Sequence, residues 1–305
     1  MINLTLKQLR YVDALARYGH FGRAAEASAI SQPALSMQIK ELEAALGAPV
    51  FERNARKVQL TGFGEDVALR ARDILRAVDE LGDLARAARQ SLVGRLRIGV
   101  IPTVAPYLLP RIMPALTGSG LALDLRVRET LTGTLIDEMR EGRLDTAIVA
   151  LPVGEPNLTE APLFEEDFVL VRPEADGAQP VPAPEKLREM RLLLLEEGHC
   201  FRDQALSFCN AGRAAPKELM DGSSLSTLVQ MVSAGIGVTL IPEMALPVET
   251  RSARVAVARF PAPGPSRTIG MIWRASSPLA GQFHDIAQIV RQSAEAARAE
   301  WAAVG

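Results

Sequence analysis

The 305-residue chain contains two cysteines, Cys200 and Cys209, both in one stretch, "EEGHCFRDQALSFC", residues 196–209. Three kinds of chemistry are open to them. They can be small apolar residues with no further role. They can bind a metal together with His199, although adjacent His199 and Cys200 point in different directions and a nine-residue gap is not a usual zinc spacing. Or they can form a reversible disulfide. The nucleophile in that chemistry is the thiolate, and His199 and Arg202 are the neighbours that would favour it at Cys200. Ionisation is a modest lever. A free cysteine with a pKa near 8.5 is already a few per cent thiolate at neutral pH, so full ionisation gains only about 20-fold to 30-fold. Fast reduction of a peroxide would also need donors that hold it and help hydroxide leave. Cys209 lacks such neighbours and suits the resolving role, attacking a sulfenic acid before over-oxidation. If "FRDQALSFC" is helical, the two cysteines are about 13 Å apart along the axis. A disulfide needs Cα atoms within roughly 7 Å. Bond formation would then require the helix to unwind or fold back, making oxidation and change of shape one event.

The elements that must position these groups follow from the rest of the chain. Its length implies two or three domains. Composition is that of an ordinary globular protein, 48% hydrophobic and 23% charged, with net charge −2. There is no apolar run of 18 residues, so no membrane partner is expected. The N-terminus lacks a signal-peptide core. A cytoplasmic location is expected, where a permanent structural disulfide is disfavoured. Charge is uneven: residues 1–62 carry +3, residues 63–94 carry −1, and the remainder −4. The basic excess points to an anionic partner for the N-terminal unit.

Thr5 to Gln8 reads as a capping box, and Leu9, Val12, Leu15 and Ala16 give one apolar helix face ending at Gly19. A short helix follows in "FGRAAEAS". Ser31 is placed as an N-cap with Pro33 in the first turn. Leu35, Ile39, Leu42 and Leu46 form a buried stripe that stops at Gly47. The opposite face presents Gln32, Ser36 and Lys40, groups suited to base edges and phosphates in a major groove. "VFERNARKVQLT" reads as two short strands around a basic turn holding Arg53, Arg56 and Lys57. The alternative is a small helical domain with a solvated polar face. A helix over roughly 62–92 then repeats Val67, Ala71, Ile74, Val78, Leu81, Ala85, Ala88 and Leu92 in steps of four and three. This heptad seam predicts a coiled-coil dimer rather than packing on the chain's own body. From Leu96, strands and helices alternate in an α/β pattern, with a Pro/Ala-rich loop at 173–184 and a terminal helix holding His284. His20 has no matching partner for metal or acid–base work.

"SQPALSMQIKELEAALGAPVFERNARKVQLTGFGE" resembles the winged helix-turn-helix of LysR-type transcription regulators. "GHCFRDQALSFC", "IPTVAPYLLPRIMP" and "SRTIGMIWR" resemble the hydrogen-peroxide-sensing, OxyR, branch of that family, with similarity along nearly the full chain. The resemblance implies an N-terminal winged helix-turn-helix (residues 1–61), a linker and dimerisation helix (62–93) and a two-lobed, periplasmic-binding-protein-like α/β effector domain (94–305). Its lobes would comprise about 94–165 plus 268–305, and 166–267. Gln32, Pro33 and Ser36 would approach bases, and Lys40 and Arg53 phosphates, of promoter double-stranded DNA. Cys200 would react with hydrogen peroxide and Cys209 close the disulfide. Thr103 and His199 would bind peroxide and position water, with Thr132 and Arg267 as further supports; Arg202 and Asp203 complete the set. Against these stand plainer roles: Thr103 capping the following helix, Arg267 as a surface charge, Asp203 merely pairing Arg202. The family implies a homodimer or homotetramer, a contact with RNA polymerase as an activator, and a glutaredoxin or thioredoxin as reductant. It implies no cofactor, no metal and no enzymatic turnover. Two alternatives remain: a regulator of the same family sensing a small organic anion with passive cysteines, and a thiol-dependent peroxidase.

Overall fold

Thr5 caps the first helix, α1 (Leu6–Tyr18), by the reciprocal box read from its sequence. Its side chain accepts from the Gln8 N–H, and the Gln8 side chain accepts from the Thr5 N–H at 3.0 Å. Gly19 ends the helix in the left-handed region, φ 58°. His20 caps α2 (Phe21–Ala27), its Nδ1 accepting from the N–H groups of Gly22 and Arg23 at 3.0 and 3.4 Å. Ser31 caps α3 (Gln32–Leu46), which ends at Gly47. Leu35, Ile39 and Leu42 of α3 are fully buried with Val12 and Leu15 of α1. Strands β1 (Phe51–Asn54) and β2 (Lys57–Leu60) pair antiparallel, and α4 (Gly62–Ala87) follows.

The computed structural model describes residues 3–54, 57–87, 94–118, 123–187, 189–208 and 219–302. It divides the chain into two compact units, Met1–Ala85 and Arg86–Gly305. The start of the expected linker helix belongs to the first unit. Ala68 and Ala71 are buried in its core, and Val67 and Leu75 pack against that core. The heptad seam is therefore divided: its first residues serve the chain's own unit, whereas Ile74 and Leu81 are 46% and 65% exposed. Ala88 and Leu92 lie outside the described residues.

In the second unit the elements are β3 (Gly94–Val100), α5 (Ala105–Gly118), β4 (Leu123–Glu129), α6 (Thr132–Arg140), β5 (Thr146–Leu151) and β6 (Leu158–Pro173). They continue with α7 (Pro184–Leu187), β7 (Leu192–Leu195), α8 (Cys200–Phe208), β8 (Leu219–Gly222), α9 (Leu225–Ser233) and β9 (Val238–Pro242). The last are α10 (Leu246–Glu249), β10 (Val255–Arg259), β11 (Ser266–Arg274) and α11 (Ala280–Ala302). Strand order is β4-β3-β5-β11-β6-β9-β7-β8, with β10 also on β6. Strand β3 lies parallel between β4 and β5, and β7 lies parallel between β8 and β9. Each half is thus a β-α-β-α-β run with its first strand in the middle. Helices leave such a central strand toward opposite sides, opening a crevice at its carboxyl end where ligands bind. The long strand β6 joins the halves, pairing with β11 along 158–167 and with β9 and β10 along 168–173.

Two glycines separate backbone need from chance. A Cβ at Gly64 would stand 1.9 Å from the Val50 carbonyl oxygen, whereas at Gly82 it would meet nothing within 4 Å. Gly64→Ala is expected to destabilise the first unit by about 1–3 kcal/mol. Gly82→Ala, in a helix interior, is expected to stabilise it by about 0.5–1 kcal/mol. Thermal denaturation of the full chain with a helix-sensitive readout checks both signs.

Candidate functional site

Cys200 is a free, half-buried thiol at the start of α8. The chain reaches it from the carboxyl end of β7 through Gly198, whose φ of 95° requires glycine. His199 precedes the helix, and its carbonyl accepts from the Arg202 N–H at 3.0 Å. Across from this turn stand the segment after β3 and the start of α6. Together Ile101, Pro102, Thr103, Leu131, Thr132, Gly198, His199 and Cys200 line one small pocket. Both central-strand crevices of the second unit contribute to it. Of the expected site residues, the fold brings Thr103, Thr132, His199 and Cys200 together. Cys209 lies outside the described residues.

Polar groups in the pocket are prepared to donate. Thr103 is buried, and its Oγ1 accepts from Arg267 Nη1 at 2.9 Å while its carbonyl accepts from Nη2 at 3.2 Å. The hydroxyl is not engaged in capping α5, and having accepted from arginine it keeps its own proton to donate elsewhere. Thr132 Oγ1 is buried without a partner, an arrangement that a small polar ligand would satisfy. Burial pushes the His199 imidazole below its ordinary range, opposed in part by the Glu196 charge. The ring is therefore neutral at neutral pH and offers one donor and one acceptor rather than a charge.

Arg267 is not a surface charge. It is 4% exposed and pairs with its cross-strand neighbour Glu166, which is 3% exposed. Glu166 Oε1 accepts from Arg267 Nε at 2.7 Å and Nη2 at 2.6 Å, leaving Oε2 without a partner. Burial pushes the Glu166 carboxyl up, against the pull of Arg267. The guanidinium also lies over Phe201 at 5.3 Å and Phe168 at 5.9 Å, and those rings meet edge to face at 4.7 Å. Arg267 therefore touches both Thr103 and the residue next to Cys200.

One neighbour of Cys200, Arg202, has other partners than the sequence implied. Arg202 is buried, donates to the Leu195 carbonyl at 2.8 Å and pairs with Asp221 of β8. Asp203 is exposed and is not that partner. Arg202 thus ties α8 to the sheet, its charge met by Asp221, because its side chain turns back toward the end of β7. Glu166, Leu131, Phe201 and Asp221 escaped sequence reading, since each acts through a contact distant along the chain. Gly198, directly before His199 and Cys200, could have been found as a turn glycine. Among the described residues no group of three His, Cys, Asp or Glu side chains could hold a metal ion. His284 is exposed and stands edge-on to Trp273 at 4.9 Å.

In the first unit, Gln32, Pro33 and Lys40 are exposed and Ser36 half-exposed on one face of α3. Arg53 stands on β1 opposite Val58; Arg56 lies outside the described residues. The bacterial regulatory helix-turn-helix model of the LysR family matches residues 6–65, and the LysR substrate binding domain model matches residues 89–295. The chain belongs to the LysR family. Its relatives in that family include a probable hydrogen peroxide-inducible genes activator of Streptomyces viridosporus, 44% identical over 95% of this chain and 94% of that one. The DNA-binding transcriptional dual regulator OxyR of Escherichia coli K12 is 39% identical over 94% and 95%. Among solved LysR-family structures, a full-length cysteine-to-aspartate variant of OxyR from Pseudomonas aeruginosa matches with a TM-score of 0.75 at 37% identity, covering 95% of each chain. A peroxide-bound cysteine-to-serine variant of OxyR from Corynebacterium glutamicum matches with a TM-score of 0.68 at 36% identity, covering 99% of this chain and 96% of that one.

Removing Arg267 alone would strand a buried carboxylate. Arg267→Met is expected to lose about 3–5 kcal/mol of stability, and Glu166→Met/Arg267→Met to recover most of it, in chemical denaturation of the full chain. The lowered His199 value sets a second expectation. It favours the folded state above the unfolded imidazole pKa of about 6.5, an advantage lost as pH falls through the lower folded value. Stability should drop on acidification, and His199→Gln should flatten that part of the curve of denaturation midpoint against pH.

Proposed function

We propose that this regulator reads hydrogen peroxide through a reversible Cys200–Cys209 disulfide. The chain is a peroxide-responsive, DNA-binding transcription regulator of the LysR family. The observation that carries the disulfide reading is the free Cys200 thiol in a pocket with Thr103, Thr132 and His199. The pocket is narrow and lacks the roughly 300–1,000 Å³ of a typical small-molecule site, which favours a peroxide over an organic anion.

In the first step the Cys200 thiolate attacks one peroxide oxygen. An S–O bond forms, the O–O bond breaks, and the leaving hydroxide takes a proton to become water. Thr103, Thr132 and His199 can hold the peroxide and stabilise the leaving oxygen, the term that ionisation of the thiol alone does not supply. In the second step Cys209 attacks the sulfenic sulfur and releases the second water. Two thiols lose two electrons and one peroxide gains them. Helix α8 runs from Cys200 to Phe208, spanning about 12 Å at 1.5 Å per residue. Closure of the bond therefore unwinds α8, and the effector domain rearranges with it.

We read that domain as two periplasmic-binding-protein-like lobes, about 94–165 plus 268–305 and 166–267, reached through the 62–93 linker from the 1–61 DNA-binding domain. The exposed stripe of Ile74, Leu81 and Leu84 on α4 supports dimerisation there, and a two-fold reader suits a two-fold promoter site. A tetramer, an RNA polymerase contact, and reduction by a glutaredoxin or thioredoxin complete the proposal. Gln32, Pro33 and Ser36 would face bases, and Lys40 and Arg53 phosphates. The peroxidase alternative leaves the N-terminal unit without a purpose.

The test is a thiol count by mass spectrometry before and after a near-stoichiometric dose of hydrogen peroxide. The wild type is expected to lose both thiols as one disulfide, and Cys200→Ser to leave the Cys209 thiol intact. Survival of both wild-type thiols would overturn the peroxide reading and leave the family assignment standing.

A further inference from the structure

We propose that Leu131 is a specificity-determining residue, closing the thiol pocket against hydroperoxides that carry an organic substituent. The proposal rests on the reading of Cys200 as the peroxide-reactive thiol. Leu131 occupies the N-cap position of α6, with φ −66° and ψ 153°, and its side chain makes no capping bond. Ser, Thr, Asp or Asn at that position would satisfy an open N–H group of the helix, which leucine leaves unanswered. Nor does the side chain serve the core. It is half-buried and belongs neither to the buried cluster of the second unit nor to the apolar residues packed against it. A residue that gives up a cap without gaining core packing breaks a local rule, and such breaks mark function.

What Leu131 does instead is wall the pocket. Its Cδ1 faces Gly198 so closely that a Cβ there would stand 3.0 Å away. Leucine and glycine thus meet beside His199 and Cys200. Of the other apolar lining groups, Ile101 is buried in the core and Pro102 is held in the turn after β3. Leu131 is the side chain whose size can change without disturbing the fold.

The reaction makes that wall selective. With a hydroperoxide RO–OH, the Cys200 thiolate forms its S–O bond to the hydroxyl oxygen, the O–O bond breaks, and RO⁻ leaves and is protonated to ROH. Sulfur is oxidised by two electrons and the hydroperoxide reduced by two. When R is hydrogen, the leaving group is a single oxygen, within the scale of the donors Thr103, Thr132 and His199 that line the pocket. When R is an alkyl or aryl group, it competes with Leu131 for the same space.

The experiment compares rates of Cys200 oxidation in the full chain by hydrogen peroxide, tert-butyl hydroperoxide and cumene hydroperoxide, for wild type, Leu131→Ala and Leu131→Ser. The serine variant shortens the side chain and supplies a cap, so it keeps the fold. Both variants are expected to raise the organic-to-hydrogen-peroxide rate ratio about tenfold or more, the scale of methylene-sized changes in a pocket. An unchanged ratio in variants that still react rapidly with hydrogen peroxide overturns the role of Leu131 and leaves Cys200 as the sensor. A wild type that reacts with hydrogen peroxide no faster than free cysteine overturns both.

Discussion

Glu166 and Arg267 sit opposite each other on β6 and β11, buried at the seam where the two halves of the second unit share strands. A buried ion pair is weak evidence for stability, since desolvating both charges offsets their attraction. Its value here is geometric. Because the carboxylate fixes Nε and Nη2, the remaining edge of the guanidinium must donate to Thr103, and its face lies on Phe201. One side chain thereby sets the orientation of a pocket hydroxyl from the first half and seats the residue beside the thiol from the second. Replacing the pair with apolar residues could preserve the fold, but the hydroxyl would then be free to turn and spend its proton elsewhere.

The same economy explains why the thiol is where it is. Both halves repeat the arrangement of a first strand flanked by the second and third, and each opens a crevice at the end of its central strand. Thr103 follows β3 and Cys200 follows β7, so the site forms where the crevices contribute to one pocket. Cys200 opens a helix, where first-turn N–H groups can meet a developing negative charge. Arg202 contributes no such charge, because Asp221 and the Leu195 carbonyl hold it. On the proposed reading, reactivity at this sulfur would depend on oriented neutral donors more than on a cationic neighbour.

The first sixty residues were legible almost element by element. Their helices are delimited by local chemistry: a Thr–Gln box, a serine cap, and glycines in the left-handed region. The α/β alternation was legible for the same reason, since periodicity is a local property. The site was legible only at residues carrying recognisable chemistry or matching a family motif. Glu166 and Arg267 are 101 positions apart, and nothing in "FEED" distinguishes the one carboxylate that will be buried. Arg202 and Asp203 invited pairing because they are adjacent, yet adjacent residues on a helix do not face each other. The heptad seam misled in part because a strict repeat reports an apolar stripe without saying what covers it. Ala71 goes to the chain's own core and Leu81 does not.

On the proposed switch, these features bear on how oxidation is read out. Phe201 follows Cys200 directly and packs under Arg267, so unwinding the start of α8 also disturbs the ring that covers the buried pair. A guanidinium losing an aromatic face becomes better hydrated and less strictly oriented. Thr103, which depends on it, then loses its orientation as well. Disulfide formation would thus dismantle the donor array that made the thiol reactive, and return of the helix would rebuild it. Chemistry and conformation would then be linked through one arginine, and because packed cores are bistable rather than continuously deformable, the oxidised and reduced arrangements would be two distinct packings.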